Sequence, residues 1–457
     1  MADRGFGTVL DVSSMGDTGK KHVVIVGGGF AGLNAAKKLA KNKNFLITVL
    51  DRHNYHLFQP LLYQVAMAGL SPGEIATPIR SVLAKYKNTR VLMAEVLRVE
   101  AAQNQIVTDM GPLKYDYLVL ACGAQHSYFG HEEWEPLAPG LKTLEQATEV
   151  RRRVLTAFEM AEREPDKERL KQLLTFVIIG GGPTGVELAG ALGEICRYTL
   201  SNDFRHIDPE SARIIIVEAG SRVLATFDPK LSRKAERDLE ELGVTIWTNT
   251  RVTGIDEEGV TLGAEKLKAA TVLWAAGVKP NPINTSLGVP LDKAGRVIVE
   301  KDLSIPGHKN VFVVGDQACV VIDGGPLPGL APVAMQEGRF VAETIANDLK
   351  NRERRPFKYF DKGQMATIGR SKAVVETHGL KFGGVIAWYA WLLIHIYYLI
   401  GFKNRMIVLI QWFWGYLTYR RGAQLIVSKE WRSFAEPKAP LPDGPSTAGG
   451  QKKLVHV

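Results

Sequence analysis

One short segment decides the fold: Lys21-His-Val-Val-Ile-Val-Gly-Gly-Gly-Phe-Ala-Gly32. Its first half is mainly apolar and β-branched, which predicts a buried strand, and a helix-like stretch follows at residues 33–40. Gly27 is expected to make the tight turn, Gly29 to let a pyrophosphate approach the backbone, and Gly32 to let the helix pack on the strand. Because the N-terminus of the helix then faces the phosphates, the segment predicts a dinucleotide site.

A carboxylate after the next predicted strand supports this site. Residues 45–50 form that strand, and it ends in Asp51, which can accept hydrogen bonds from ribose hydroxyls. A glycine turn alone also fits an ordinary tight turn, but strand, helix, strand and terminal acid together favour cofactor binding. The neighbouring residues expected at this first site are Phe30, Ala31 and Arg52.

The same pattern occurs a second time along the chain. A predicted strand at residues 175–179 leads into Gly180-Gly-Gly-Pro-Thr-Gly185 and then into a helical stretch at residues 186–197. A single dinucleotide would not require two such units, so we expect two separate sites. The turn residues expected to bind the second dinucleotide are Gly180, Gly182, Pro183, Thr184 and Gly185.

The acid of the second unit indicates which nicotinamide cofactor is bound. The predicted strand at residues 213–217 ends in Glu218, and a carboxylate there disfavours a 2′-phosphate, so NADH is expected rather than NADPH. The separation between Gly185 and Glu218 is longer than the usual spacing. We therefore predict an insertion at about residues 203–211.

Three later strand ends complete the pattern. Residues 117–124 and 271–278 both resemble buried strands that end in small residues, which permit close approach of the backbone to a cofactor. A third strand, at residues 310–314, precedes Gly315 and Asp316 and a helical stretch at residues 333–350. In a flavoprotein with two dinucleotides, Asp316 would meet the ribityl or pyrophosphate part of FAD. The other contacts expected are Ala121, Gly123 and Gly315 with FAD, and Ala276 and Gly277 with NADH.

These motifs resemble the two-dinucleotide flavoprotein oxidoreductases. Within that superfamily, three segments resemble the type II NADH:quinone oxidoreductases, which are single-subunit, non-pumping NADH dehydrogenases. They are residues 54–66, residues 274–280 and the C-terminal aromatic block, which comprises the uncharged runs at 382–402 and 406–419. The resemblance implies an α/β fold with two Rossmann-like domains and FAD between NADH and a membrane quinone. The domains expected are a discontinuous FAD domain at 21–145 and 286–350, an inserted NADH domain at 146–285, and a C-terminal membrane-associating α region at 351–432, with a flexible start at 1–20 and a disordered tail at 433–457.

The resemblance also implies roles for individual residues. The family's glutamate in the second dinucleotide helix corresponds to Glu187, as a positioning group or proton source; the alternative is a helix glutamate stabilised by the dipole. Of the family's two quinone-side glutamines only Gln336 is present, because Pro332 replaces the first and could simply begin a helix. Ala331, Ala334 and His395 are the other residues expected on the quinone side. His395 is either a proton donor or a buried histidine with satisfied hydrogen bonds.

Charge and cysteine content limit the partners. The net charge of +9 favours an anionic partner, which could be nucleic acid or an acidic membrane. The three cysteines form no CxxC or CxxxxC pair, so we expect a metal-free mechanism without a thiol relay. The N-terminal residues lack the apolar stretch of a signal peptide. With the family resemblance, we expect a homodimer on the cytoplasmic face of the cell membrane, an anionic membrane surface and a quinone as partners, and no nucleic acid.

The C-terminal block leaves three interpretations open. Residues 382–402 carry no Lys, Arg, Asp or Glu, and as one helix they would measure about 30 Å. A second uncharged stretch, residues 406–419, is shorter and is followed by Arg420 and Arg421. The first segment could span a bilayer, lie in its surface through its aromatic residues, or pack in a core or dimer interface. We expect in-plane attachment.

Three rival functions fit parts of the pattern. A sulfide:quinone oxidoreductase would share the fold and the membrane, but it would need cysteines at the flavin. A ferredoxin or rubredoxin reductase would leave the aromatic C-terminus unexplained. A flavoprotein that senses NADH with little turnover would carry the same two dinucleotide sites.

Overall fold

The structure, a computed structural model, describes residues 19–418 and 423–427. The helices are α1 (Phe30–Leu39), α2 (Leu62–Ala66), α3 (Pro72–Ile75), α4 (Ile79–Leu83), α5 (Leu144–Glu162), α6 (Lys167–Leu173), α7 (Pro183–Glu194), α8 (Pro229–Glu240), α9 (Ala331–Asp348), α10 (Val385–Tyr398) and α11 (Phe402–Thr418). The strands are β1 (Lys21–Val26), β2 (Phe45–Asp51), β3 (Tyr55–Leu57), β4 (Ala76–Pro78), β5 (Thr89–Met93), β6 (Val96–Glu100), β7 (Gln105–Thr108), β8 (Gly111–Lys114), β9 (Tyr117–Leu120), β10 (Ala124–His126), β11 (Thr175–Ile179), β12 (Arg213–Val217), β13 (Val244–Trp247), β14 (Gly254–Asp256), β15 (Gly259–Leu262), β16 (Glu265–Lys268), β17 (Thr271–Trp274), β18 (Val278–Pro280), β19 (Val297–Ile298), β20 (Ser304–Ile305), β21 (His308–Val313), β22 (Ala318–Cys319), β23 (Val321–Ile322), β24 (Gly325–Pro326), β25 (Gln364–Thr367), β26 (Ala373–Thr377) and β27 (Leu380–Gly383).

The first large sheet has the strand order β20-β21-β9-β1-β2-β5. All its pairs are parallel except the edge pair β20–β21. Val23, Val24 and Ile25 of β1 are fully buried, as expected for a parallel strand covered on both faces. Because β21 follows the second sheet in sequence, this sheet is assembled from two separate parts of the chain.

The second large sheet has the order β13-β12-β11-β17, and all of its pairs are parallel. Its strands lie between β9 and β21 in sequence, so this unit is inserted into the first one. A short antiparallel ribbon, β10 paired with β18, joins the ends of β9 and β17. The structure therefore has the α/β architecture with two Rossmann-like units that the sequence predicted.

Close helix packing holds the first unit together. A Cβ at Gly338 of α9 would lie 2.1 Å from the carbonyl oxygen of Ala31 in α1, so the two helices touch at a position that only glycine permits. Each unit also carries a three-stranded antiparallel sheet, β6-β7-β8 in the first and β14-β15-β16 in the second. The sequence analysis did not predict these two small sheets.

The C-terminal region differs from the expected α region. It begins with the antiparallel sheet β25-β26-β27, and α10 and α11 follow. The uncharged run at 382–402 is not one 30 Å helix: α10 has 14 residues, or about 21 Å. Gly384 and Gly401, with φ of 82° and 93°, flank α10 and turn the chain away from helical geometry.

A basic side chain fixes the turn between α10 and α11. Arg405 donates hydrogen bonds to the carbonyl oxygens of Leu399 and Tyr397, which satisfies the end of α10. In the part of the chain that the structure describes, no helix combines the length and apolar character needed to cross a membrane. The expectations for residues 1–18, for Arg420 and Arg421 and for the tail at 433–457 lie outside the described residues.

Candidate active site

The first glycine turn is shaped by two close approaches. Gly27 has a φ of 103°, and a Cβ there would lie 2.2 Å from the carbonyl oxygen of Ala121. A Cβ at Gly32 would lie 1.9 Å from the carbonyl oxygen of Gly27, so helix and strand meet at that point. In contrast, a Cβ at Gly29 would meet no atom within 4 Å. Gly29 therefore borders open space at the N-terminus of α1, where a phosphate would be stabilised.

The acid after β2 fixes this turn. Asp51 Oδ2 accepts a hydrogen bond of 2.6 Å from the backbone nitrogen of Gly28, and Oδ1 accepts one of 2.8 Å from the backbone nitrogen of His53. Each carboxylate oxygen keeps a further lone pair. Asp51 can thus hold the turn and still accept a ribose hydroxyl.

The second turn repeats this geometry. Gly180 has a φ of 107°, a Cβ at Gly185 would lie 1.9 Å from the carbonyl oxygen of Gly180, and Gly182 borders open space. Glu218 accepts hydrogen bonds of 2.6 Å from the backbone nitrogens of Gly181 and Gly220. The long connection before Glu218 contains a π-helical turn at Ile195–Thr199 and a 3₁₀ turn at Pro209–Ser211. Both units therefore fit a dinucleotide, although Glu218 lies far along the chain from its turn.

A cavity of about 490 Å³ lies over the first turn, which is within the usual size of a cofactor site. The residues of its wall that the sequence analysis assigned to FAD are Gly27, Gly29, Phe30, Ala31, Asp51, Arg52, Ala121, Gly123, Gly315 and Asp316. Ala334, which was expected on the quinone side, lines the same cavity. Gln59, Lys142 and Ser286 also line it and were not singled out from the sequence.

Two buried polar residues position the loops of this cavity and were missed by sequence reasoning. Gln317 accepts a hydrogen bond of 2.6 Å from the backbone nitrogen of Cys122 and donates one to Asn284. The carboxyl group of Glu337 accepts a hydrogen bond from the backbone nitrogen of Gly315, although burial raises the pKa of Glu337 to about 8. Their tasks depend on contacts between residues far apart in sequence, so no local motif marks them.

Glu187 lies in α7, directly after the second glycine turn. Burial raises the pKa of its carboxyl group to about 8, although a hydrogen bond from the backbone of Thr367 opposes this change. Burial also raises the pKa of Tyr63, and the nearby charge of Glu187 adds to that increase. A carboxylate stabilised by the helix dipole would show the opposite change in pKa. With its pKa raised in this way by burial, the carboxyl group of Glu187 is mostly protonated at neutral pH.

The amide of Gln336 is engaged with the backbone of the C-terminal connection. Its Nε2 donates to the carbonyl oxygen of Phe360 at 3.0 Å, and the backbone nitrogen of Phe360 donates to its Oε1 at 3.0 Å. Helix α9 begins at Ala331, and Pro332 lies in its first turn. This agrees with the interpretation that Pro332 simply begins a helix. A contact between Gln336 and quinone remains a prediction.

His395 is 8% exposed and lies in α10. Its Nδ1 is 2.7 Å from the carbonyl oxygen of Trp391, and its ring stacks on that of Trp391 with centroids 4.3 Å apart. Burial lowers the pKa of His395 to about 4, so the imidazole is neutral at physiological pH. Phe58 contacts it edge-on, and Phe58 in turn contacts Phe30 at the wall of the first cavity.

The C-terminal helices pack on the segment that follows β3. Trp412 donates to Gln64 at 2.8 Å, and Trp391 lies 6.5 Å from the ring of Tyr63. A second cavity, of about 370 Å³, lies between α7, α10 and α11, and Tyr63, Trp391 and Trp412 are part of its wall. The aromatic block is therefore joined to both nucleotide-binding units.

The cysteines do not form a redox pair. Cys122, Cys196 and Cys319, all of which lie in the described part of the chain, form no disulfide with one another. Cys122 lines the first cavity, but burial raises the pKa of its thiol to about 12, so it is not a thiolate nucleophile at neutral pH. Among the described residues, no group of three or more His, Cys, Asp or Glu side chains could hold a metal ion.

Comparisons with known proteins agree with this geometry. Residues 21–338 match the pyridine nucleotide-disulphide oxidoreductase family, and residues 362–421 match the NDH2 C-terminal domain. A type II NADH:quinone oxidoreductase of Mycobacterium tuberculosis is 44% identical over 427 residues, which cover 90% of this chain and 91% of that protein. One from Staphylococcus haemolyticus is 30% identical and covers 80% of this chain and 92% of that protein.

Solved structures extend the comparison to the fold. NDH2 from Plasmodium falciparum, in complex with NADH, has a TM-score of 0.82 at 19% identity and covers 90% of this chain and 100% of that chain. The sulfide:quinone oxidoreductase of Aquifex aeolicus has a TM-score of 0.69 at 21% identity, covering 84% of this chain and 91% of that one. At these identities the likeness concerns the fold alone. The close sequence relatives and the two matched families establish that the chain belongs to the type II NADH:quinone oxidoreductases.

Proposed function

We propose that the chain is a membrane-associated respiratory NADH dehydrogenase. A hydride passes from NADH to FAD, and two electrons then reduce a quinone, which takes up two protons, without proton pumping. The observation that carries this proposal is the pair of matching glycine turns, each held by a strand-end acid, in units joined by the ribbon β10–β18. The family membership and the names of the relatives support it.

FAD belongs in the first cavity and NADH at the second turn. When bound, the flavin supplies the redox chemistry, and the protein supplies orientation and charge. The glycines bring the backbone to each diphosphate, and Asp51 and Glu218 accept ribose hydroxyls. Glu187 holds a proton near the junction of the units at neutral pH. The domain limits predicted from the sequence are part of this proposal.

Membrane attachment is supported by the surface of the C-terminal helices. Trp388, Trp391 and Trp412 face the core, whereas the opposite sides of both helices carry large exposed apolar side chains. This apolar outer face comprises Ile386, Tyr389, Leu393 and Tyr397 of α10 and Phe402, Ile410, Phe413 and Trp414 of α11. Apolar and aromatic residues beside an exposed lysine, Lys403, suit the interface of an anionic bilayer.

The proposal assigns the apolar outer face to the cytoplasmic leaflet of the cell membrane. There it can meet both cytosolic NADH and lipid-soluble quinone. A homodimer is part of the same proposal, since a second copy would enlarge the surface in contact with lipid. Light scattering of the detergent-solubilised protein would give the mass that tests it.

The proposed function is tested by following the flavin colour. Under anaerobic conditions NADH should bleach the yellow protein, and a short-chain quinone should restore the colour over repeated cycles. Glu218→Arg should weaken the use of NADH, because it removes the acceptor for two turn nitrogens, while flavin content stays near that of the wild type. A colourless protein, or a yellow one that NADH leaves unchanged, would contradict the proposal.

Turnover separates the enzyme from a sensor. Steady-state rates above about one per second with NADH and quinone are expected of an enzyme, whereas a redox sensor would stay below that value. Replacement of all three cysteines with serine should leave these rates largely unchanged. Loss of flavin reduction in that variant would favour chemistry of the sulfide:quinone oxidoreductase type.

A further inference from the structure

Lys142 is a basic residue in the wall of the first cavity to which neither the motifs nor the proposed function gives a task. Its backbone is fixed on both sides. The nitrogen donates to Gln146 Oε1 at 2.8 Å, and the carbonyl oxygen accepts from Gln59 Nε2 at 3.4 Å. The side chain therefore projects from a well-held point immediately before α5.

The ammonium group of Lys142 lacks a direct counter-ion. Within residues 19–418 and 423–427, no carboxylate pairs with its Nζ and no side chain accepts a hydrogen bond from it. Burial lowers the pKa of Lys142, and the charge of Asp316 partly offsets this effect. Because removing an unpaired charge from water is costly, such a lysine is best explained by an anionic group of the ligand.

The position of Lys142 indicates which part of the ligand carries that negative charge. Gln146 Oε1 also lies 3.2 Å from Nε2 of His126, which belongs to β10 in the ribbon between the two units. Burial lowers the pKa of His126 to about 4, and the positive charge of Lys142 contributes to this decrease. Lys142 thus lies on the side of the cavity that borders the second unit.

A second basic residue, Arg52, lines the cavity at a different end from Lys142. Arg52 follows Asp51 and lies 3.7 Å from Glu95, at the end expected to hold the ribose. The redox ring must lie near the second unit in order to receive a hydride from NADH there. Lys142 is therefore better placed for the ring than for the adenosine part of FAD.

We propose that Lys142 provides the counter-charge for the flavin ring and thereby raises its reduction potential. This inference rests on the proposed function, which assigns FAD to the first cavity. A hydride carries two electrons and one proton, so its acceptance adds one negative charge to the cofactor until a second proton follows. A fixed ammonium at the ring end stabilises that charge and needs no reorganisation when it appears.

The test compares flavin potentials in the full-length holoenzyme. Each variant is titrated anaerobically with xanthine, xanthine oxidase and a reference dye, and the flavin is followed by its absorbance. Lys142→Met should lower the ratio of reduced to oxidised flavin at a fixed potential about tenfold, which equals a shift of about 30 mV for two electrons. Lys142→Arg should keep the wild-type potential, and so should the exposed control Lys41→Met.

A measurement on the wild type tests the proposal even if the Lys142→Met variant does not bind FAD. If Lys142 keeps the reduced ring anionic, one proton accompanies two electrons, and the wild-type potential should fall by about 30 mV per pH unit near neutrality. A slope of about 60 mV per pH unit would overturn the proposal.

Two further outcomes would also overturn it. One is an unchanged potential in a fully loaded Lys142→Met protein. The other is loss of FAD with a wild-type potential in the fraction that remains loaded, which would assign Lys142 to the pyrophosphate. Bleaching of the wild type by NADH is independent of these results, so a failure of the proposed function can be distinguished from a failure of this inference.

Discussion

At the scale of single residues, the shifted pKa values of three titratable groups indicate which of them could transfer a proton. Glu187 and Glu337 both have pKa values raised to about 8 by burial, yet their surroundings differ. Glu337 holds the backbone of Gly315 beside the first cavity, whereas Glu187 lies between the second glycine turn and the C-terminal sheet. His395, with a pKa lowered to about 4, is neutral over the same range. We therefore propose Glu187, the one of the two carboxyl groups that is not engaged in holding the first cavity, as the proton donor near neutral pH.

The pH dependence of quinone reduction tests this role of Glu187. Its raised pKa means that the carboxyl group is protonated below about pH 8 and loses its proton as the pH rises through that value. The rate of quinol formation in the wild type should therefore fall above about pH 8. Glu187→Gln should be several-fold slower and should lack this alkaline decrease.

The exposed residue Glu240 of α8 offers a matched control. Glu240→Gln should keep both the rate and the alkaline decrease. Stopped-flow measurement of flavin reoxidation by quinone isolates the step in question. An unaltered pH profile in Glu187→Gln would remove Glu187 from the proton path.

At the scale of elements, each glycine turn contains one glycine that the packing of the fold requires and one that borders the space for a ligand. Gly32 and Gly185 are needed by the fold, because a Cβ at either would lie 1.9 Å from a carbonyl oxygen. Gly29 and Gly182 are not crowded by any protein atom within 4 Å. Their lack of a side chain matters only when a dinucleotide occupies the space in front of them.

This difference predicts opposite results for two alanine substitutions in α1 and its turn. Gly29→Ala should fold with nearly wild-type stability in the absence of cofactor but should bind FAD at least tenfold more weakly. Gly32→Ala should destabilise the protein itself by about 1–3 kcal/mol or more, because the backbone must move apart. Thermal unfolding of apoprotein and holoprotein, together with flavin content, measures both effects. Equal loss of stability in the Gly29→Ala and Gly32→Ala apoproteins would contradict these different roles of Gly29 and Gly32.

These same elements explain how much could be predicted from the sequence. Strand, glycine turn, helix and terminal acid are contiguous or nearly so, and both units and their acids appear where they were expected. Gln317 contacts Cys122, which is distant in sequence, and Lys142 is notable only because it lines the first cavity. No local sequence pattern therefore marks either residue. For the run at 382–402 the sequence left three interpretations open, because its lack of charge fits a spanning, an in-plane or a buried helix, and the helix bounds between Gly384 and Gly401 became visible only in the structure.

At the scale of the whole molecule, the apolar outer face lies on helices that also contact the first unit. Phe30 at the cavity, Phe58 and His395 form a continuous row of ring contacts toward α10. Trp412 of α11 is tied to Gln64. These contacts connect the wall of the first cavity with the two helices that carry the apolar outer face.

Substitutions on the outer face should separate membrane attachment from chemistry. Leu393 and Ile410 are 66% and 61% exposed, so Leu393→Gln with Ile410→Gln should leave the fold intact. Each removes about 1.5–3 kcal/mol of potential apolar burial. Binding to vesicles that contain anionic lipid should weaken at least tenfold, as measured by co-sedimentation, while turnover with a short-chain quinone in detergent should be unchanged.

Val321, which is 60% exposed on β23, serves as the control position. Val321→Gln should bind vesicles as the wild type does. Undiminished sedimentation of the double variant would place the attachment elsewhere on the protein.

The strand-end acids have a consequence for cofactor preference. Glu218 accepts hydrogen bonds from two backbone nitrogens through the same carboxylate oxygens that would bind a ribose, so nucleotide recognition and loop structure would depend on one side chain. An engineer who exchanges it to favour a phosphorylated nucleotide also loosens the loop that receives that nucleotide. Conversion of such an enzyme therefore requires a substitute acceptor for the loop before any new selectivity can be introduced.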